Sequence, residues 1–252
     1  MPIQSLCTVV EAVKLNPNAI ALTLEAPELV KDMAAGQFVH IKCGHSRLLR
    51  RPISICDFGG DRFRVVFEVR GSGTDWLARR EVGDRLDVLG PLGRGFRVEP
   101  GDRPLLVGGG IGVPPMLSCA ERAGGGYAVL GFRDADHALL TDELRAVCGE
   151  TLVATEDGSV GYKGFVTTGA AQILDTHPDV TAVLACGPRP MLNAVWAEAQ
   201  KRGIPCQVSM EERMACGVGA CLGCAIELAD GSMRHVCKDG PVFDAAEVKW
   251  NG

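Results

Sequence analysis

At 252 residues the chain is long enough for two compact domains and a small appendage, and its 46% hydrophobic share is that of an ordinary globular protein. The formal charge of -5 is mild and the lysines and arginines are dispersed, which argues against a nucleic-acid partner. There is no internal repeat and no low-complexity tract.

The opening Met1-Pro2-Ile3-Gln4-Ser5 lacks a basic region followed by an apolar stretch, so no export signal is expected. Residues 7–13, 19–24, 38–42, 52–56, 63–69 and 85–89 are short, rich in β-branched and aromatic side chains, and separated by Gly, Pro or Asp turns. Strands at that spacing predict an antiparallel β-barrel over residues 1–99. The turn Glu99-Pro100-Gly101-Asp102 reads as a linker.

Beyond it the pattern alternates. Apolar runs at 105–107, 127–131, 152–155 and 182–185 read as buried parallel strands, with helix-like stretches at 114–123, 141–148, 165–175 and 189–202. This predicts a doubly wound parallel α/β domain over 100–210, closed by a strand at 206–210. The longest uncharged stretch, 104–120, holds four glycines and three prolines, so it reads as a buried strand–turn–helix and no membrane partner is expected. Residues 211–252 are too few and too rich in glycine to build a core alone.

Several segments carry chemistry. In Arg50-Arg51-Pro52-Ile53-Ser54, Arg51 can pair bidentately with a pyrophosphate and the Ser54 hydroxyl can reach a flavin ring nitrogen; a solvated edge is the plainer reading. In Gly71-Ser72-Gly73-Thr74-Asp75, Thr74 fits an N-cap and the helix start offers an anion site, or simply a capped turn. Gly90-Pro91-Leu92-Gly93-Arg94-Gly95-Phe96 is a third glycine-rich loop, with a tight connection out of the barrel as the favoured reading. Leu105 to Pro115 runs strand, glycines, helix, with Gly108, Gly109, Gly110 and Gly112 placed to approach a dinucleotide phosphate. Val113 stands where the G-x-G-x-x-G fingerprint needs its last glycine, which indicates a different lineage from the common dehydrogenases. Asp157, beside Glu156, can accept from a ribose hydroxyl and repel a 2′-phosphate, favouring NAD, or can sit in a surface turn. Cys186-Gly187-Pro188-Arg189-Pro190-Met191 ends a strand, where α/β sheets bind ligands, so Cys186 is expected at a nicotinamide or buried as a structural thiol.

The densest signal comes last. Cys216, Cys221 and Cys224 follow C-x4-C-x2-C, and Cys237 follows after twelve residues, the plant-type [2Fe–2S] spacing. Three ligands in one glycine-rich loop do not resemble the paired knuckles of a four-cysteine zinc site, and the other seven cysteines are scattered singly rather than as a disulfide framework. Zinc and disulfides stay as the competing readings, the first implying a non-catalytic interaction module. Eleven cysteines without an export signal predict a reducing, cytoplasmic setting. No Ser-His-Asp set or carboxylate pair is evident, and His40, His45, His137, His177 and His235 are isolated, as structural or surface histidines are.

Together these segments resemble the ferredoxin-reductase superfamily, and most closely the iron–sulfur flavoprotein subunits of NAD-linked dihydroorotate dehydrogenases. The resemblance rests on Arg51–Ser54, Gly73-Thr74, Gly108 to Pro115, Cys186 to Met191, Glu212 to Cys224, and Val236 to Phe243. It implies a flavin-binding barrel (1–99), an NAD-binding α/β domain (100–210) and a [2Fe–2S] domain (211–252). It implies that Arg51, Gly73 and Thr74 hold the FAD phosphates, that Pro52, Ile53 and Ser54 with Val66, Phe67 and Glu68 line the flavin, and that Gly187, Pro188 and Met191 join the NAD site. Many members carry an aromatic residue where Ile53 stands. The implied partner is an FMN-containing dihydroorotate dehydrogenase catalytic subunit in an α2β2 heterotetramer. The implied reaction is electron transfer from that FMN through the cluster and FAD to NAD+ in pyrimidine synthesis. A related NAD(P)H-linked subunit of another complex, such as a ferredoxin:NADP oxidoreductase, sulfide dehydrogenase or hydrogenase, is the alternative.

Overall fold

The computed structural model describes residues 2–44 and 47–250; His45 lies outside them. Apolar alternation along the first segment produces β1 (Ile3–Lys14), β2 (Ala19–Glu25), the short α1 (Pro27–Val30), β3 (Phe38–Ile41), β4 (Arg51–Gly59), β5 (Arg62–Glu68), α2 (Ser72–Leu77) and β6 (Arg85–Leu92). The six strands close into an antiparallel barrel in the order β1-β2-β5-β4-β3-β6, which leaves no edge unpaired. Leu22, Leu24, Ile41, Ile55, Phe63 and Leu86 fill its interior at 0–1% exposure. On β3 the side chains split by the two-residue period of a strand: Val39 and Ile41 join the barrel core, while Phe38 joins the core formed with the rest of the molecule. Residues 90–92, expected to be a loop, extend β6, because Gly90 pairs with Ile3 and Leu92 with Phe38.

The second segment forms β7 (Leu105–Gly109), α3 (Pro114–Ala123), β8 (Tyr127–Phe132), α4 (Thr141–Val147), β9 (Glu150–Thr155), the two-residue β10 (Tyr162–Lys163), α5 (Val166–Thr176), β11 (Val183–Cys186), α6 (Arg189–Lys201) and β12 (Cys206–Ser209). A proline in the first turn starts α3, where an amide hydrogen has no intrahelical acceptor, and Gly124 ends it at φ 79°. The parallel strands run β10-β9-β8-β7-β11-β12, so the order reverses between β7 and β11. Ligands bind at such a reversal, outside the carboxyl ends of the strands. Register puts Gly108 opposite Cys186, which fixes the glycine turn against the end of β11.

The third segment does not stand apart. Its hairpin, β13 (Ala225–Glu227) and β14 (Met233–His235), packs Ile226, Leu228 and Val236 into the core shared with Phe38 and Val208. Its last strand, β15 (Val242–Asp244), pairs antiparallel with β12 and becomes the edge of the large sheet. Short range alone could not have signalled this, since the partner strand lies more than thirty residues away. Arg64 of β5, paired within the barrel to Asp57 of β4 at 2.5 Å, reaches across to Glu143 of α4. The amide side chain of Gln207 closes both backbone groups of Arg97 at 2.9 Å, and the Arg94 N–H donates to the Gly240 carbonyl at 2.5 Å. Those ties hold all three segments against one cleft.

Candidate functional site

A cleft of about 950 Å³ opens between the barrel and the carboxyl ends of β7, β8, β9 and β11. The barrel side supplies Pro52, Ile53 and Ser54 from β4, Val66, Phe67 and Glu68 from β5, and Thr74 from α2. The α/β side supplies Gly109, Gly110, Gly112, Cys186, Gly187, Pro188 and Met191. Fourteen residues chosen from sequence thus meet on one surface, drawn from strands more than a hundred positions apart.

Four do not line it. Arg51 sits in a shallower adjoining depression with Arg47, Ser72 and Met214. Gly73 backs Arg51: a Cβ there would stand 2.3 Å from Arg51 Nε, so only glycine lets α2 approach the guanidinium. Gly108 packs against Val113, where a Cβ would meet the Val113 Cα at 2.8 Å, and so serves the contact of strand with helix. Asp157 turns away. Its Oδ1 accepts from the Ser159 N–H at 2.9 Å and the Ser159 hydroxyl at 2.6 Å, and these bonds hold its carboxyl below the usual range. Its neighbour Glu156 lines the cleft instead.

Thr74 is not the N-cap. Gly71 holds that place, and Thr74, three residues on, accepts the Arg70 N–H at 2.9 Å and the Gly71 N–H at 3.2 Å through its hydroxyl. Glu68 is likewise accounted for: its carboxylate pairs with Arg70 at 2.7 Å, and both side chains line the cleft. Gly112 approaches the end of β11 so closely that a Cβ would lie 2.3 Å from the Cys186 carbonyl oxygen. Burial raises the Cys186 thiol to about 12, against a smaller opposing effect of the Ser209 hydroxyl, so the group is a neutral thiol at pH 7.

The cleft also takes residues no motif announced. Phe38, Arg133, Glu156 and Phe165 reach it from elements with other evident duties, and Glu211, Glu212, Met214 and Pro241 reach it from the cysteine-bearing segment. The runs Glu212 to Cys224 and Val236 to Phe243, and the pairing of Glu156 with Asp157, were the sequence signals that pointed that way.

In the cysteine loop, burial opposes ionisation of Cys216, but N–H groups of Val218, Cys221 and Ala220 aimed at its sulfur pull the thiol down to about 6. The Val218 and Ala220 contacts are 3.4 and 3.3 Å. Gly219 N–H donates to Cys237 Sγ at 3.1 Å and Cys237 N–H to Cys224 Sγ at 3.4 Å. Burial and the neighbouring Cys224 raise Cys237 to about 12. Cys221 neighbours Cys216, and Cys224 neighbours Cys237. Among the described residues no three His, Cys, Asp or Glu side chains converge on a point suited to a single ion. Four thiols with backbone amides aimed at three of them fit a [2Fe–2S] cluster, which Cys216, Cys221, Cys224 and Cys237 would hold.

Residues 211–249 match the family model for the iron–sulfur cluster binding domain of dihydroorotate dehydrogenase B. The chain is 44% identical over 235 residues to the "Dihydroorotate dehydrogenase B (NAD(+)), electron transfer subunit" of Bacillus velezensis, covering 88% of this chain and 90% of that protein. It is 43% identical over 257 residues to the protein of that name from Bacillus mycoides, covering 95% and 96%. Among solved structures, the NADH-dependent reduced ferredoxin-NADP oxidoreductase aligns with a TM-score of 0.87 at 31% identity over 98% of this chain and 90% of that one. The ferredoxin reductase of carbazole 1,9a-dioxygenase shares the fold at a TM-score of 0.69 and 22% identity, covering 81% and 67%.

Barrel, doubly wound sheet and the cleft between them define a ferredoxin-reductase-type flavoprotein, here with an iron–sulfur domain folded onto its sheet. Its cofactors are FAD, NAD and a [2Fe–2S] cluster. The chain belongs to the family of electron transfer subunits of NAD(+)-linked dihydroorotate dehydrogenase B.

Proposed function

We propose that this chain carries electrons from the FMN of a dihydroorotate dehydrogenase catalytic subunit to NAD+, within a cytoplasmic α2β2 heterotetramer that serves pyrimidine synthesis. The observation that carries the reading is the single cleft walled by the flavin strands, the glycine turn at the sheet reversal and the cysteine segment's own Met214 and Pro241. Flavin, when bound, converts between two-electron hydride transfer and the one-electron steps of a cluster.

The protein's part is positioning. Arg51, seated against Gly73, offers a planar fork for a pyrophosphate, and Ser54 offers a hydroxyl from further along the same strand, β4. Gly109, Gly110 and Gly112 let the second dinucleotide approach the backbone, while Met191 and Pro188 close on it from the start of α6. Cys186, as a neutral thiol, adds a polarizable wall without the negative charge that would hold a cationic nicotinamide more tightly than its neutral product. The relatives named as dihydroorotate dehydrogenase subunits are 41–44% identical, against 31% for the ferredoxin-NADP oxidoreductase, which favours the first partner. Purification with a co-expressed catalytic subunit tests this: a stable complex with FMN, FAD, iron and acid-labile sulfide that turns over dihydroorotate with NAD+ is expected. A complex without FMN would refute it.

Selection of NAD over NADP is assigned to Glu156, whose carboxylate lines the cleft at the end of β9, rather than to Asp157, which is held by Ser159. Glu156→Gln is expected to tighten binding of a 2′-phosphorylated adenosine nucleotide by about tenfold, the value of one removed like-charge contact near a surface. Asp157→Asn is expected to leave it unchanged. Calorimetric titration with 2′-AMP and 5′-AMP reads both, and a larger effect from Asp157→Asn would return the role to that residue.

A further inference from the structure

His40 is a fully buried imidazole of the barrel wall: it is 0% exposed, and among the described residues neither Nδ1 nor Nε2 has a hydrogen-bond partner. A buried donor or acceptor left unmatched is costly, so an imidazole with both nitrogens unmatched marks a place where another group is received. Its surroundings identify the group. On β3, His40 shares the outward face with Phe38, whose ring lines the cleft and meets the imidazole edge-on with centroids 5.7 Å apart. On its other side is the cysteine loop: a Cβ built on Gly217 would lie 2.8 Å from both Cε1 and Nδ1 of His40. Gly217 adjoins Cys216 and has φ 75°, so the chain at this point is wrapped onto the imidazole with no side chain between them. Burial, then the nearby Arg50, lowers the imidazole pKa to about 4, which leaves one N–H to donate.

We propose that His40 is the positioning residue of the iron–sulfur cluster, its imidazole N–H donating to a cluster sulfur on the Cys216 side and so raising the reduction potential. A donor aimed at cluster sulfur stabilises the more negative, reduced form. Placed between Phe38 and Gly217, the same side chain fills the wall that separates the flavin cleft from the cluster loop. The inference rests on the loop holding a [2Fe–2S] cluster.

The test uses the complete complex, with iron and acid-labile sulfide measured on every sample. His40→Leu is expected to lower the cluster midpoint, followed by EPR during redox titration, by at least the 59 mV that a tenfold change in a one-electron equilibrium represents. His40→Gln, which keeps a donor, is expected to restore most of that shift. In protein labelled with 15N-histidine, pulsed EPR of the reduced cluster should show an imidazole coupling that His40→Gln removes. A midpoint unchanged in a fully loaded His40→Leu complex would overturn the proposal. So would a coupling that persists in His40→Gln, because the imidazole concerned would then be another, His235 foremost. Should His40→Leu fail to retain iron, the labelled wild-type and His40→Gln proteins still decide. Absence of iron from the wild-type complex would refute the cluster itself, a distinct failure.

Discussion

Replacing Cys221 by serine is expected to abolish dihydroorotate-linked reduction of NAD+ while leaving NADH-to-dye activity through the flavin within about threefold of normal. The expectation follows from the separate walls of the site. Cys221 is exposed on the cysteine loop, whereas the flavin strands β4 and β5 and the glycine turn at β7 face the cleft without it. A serine hydroxyl ionises far less readily than a thiol and is a poor ligand for iron, so the cluster is lost or its potential displaced. The core shared by Ile226, Val236 and Phe243 with the sheet, and the pairing of β15 with β12, keep the segment attached when the metal is gone. Stopped-flow absorbance at the flavin and cluster bands, with iron analysis, separates the two activities. If dye reduction fell as far as NAD+ reduction with FAD retained, the order of carriers would be wrong.

Gly73→Ala is expected to weaken FAD binding by about ten- to a hundredfold with little change in melting temperature. The new methyl carbon would sit 2.3 Å from Arg51 Nε and 2.6 Å from Cζ. What it strikes is the end of a flexible side chain, so the fold yields cheaply by moving the guanidinium. On the proposed role of Arg51, that movement takes the guanidinium off a diphosphate, a charge-assisted contact of about 1.5–3 kcal/mol, which sets the range. Flavin fluorescence quenching on titration of deflavinated protein measures it. Arg51→Lys, which keeps the charge and loses the fork, should fall between the two, and an unaffected FAD affinity in Gly73→Ala would remove Arg51 from the phosphate site.

Several features could be read before any coordinates. Strands of the barrel and sheet follow from local alternation and turns, and α3 follows from Pro114 at its start and Gly124 after its end. Those signals are short-range: each depends on residues within one turn or one strand of each other. Spacing within the cysteine loop is of the same kind, since three of the four thiols lie within nine positions. Even so, boundaries drifted where a pair formed across the fold. Residues 90–92 look like a loop by their glycine and proline, yet strand pairing with β1 and β3 carries β6 through them.

What the sequence determined by itself, then, was the order of two folding patterns and a ligand set of four thiols, because periodicity and spacing are properties of contiguous chain. Only the tertiary structure decided that β15 closes the sheet, that Glu156 rather than Asp157 faces the cleft, and that His40 is sealed between Phe38 and Gly217. Each of those outcomes is a choice of direction or neighbour made by packing. The two carboxylates at 156 and 157 are chemically near-identical in sequence, and in the bend beyond β9 the Ser159 N–H and hydroxyl hold Asp157 alone. His40 looks like any isolated histidine until the barrel wall and a loop some 180 residues away remove its water.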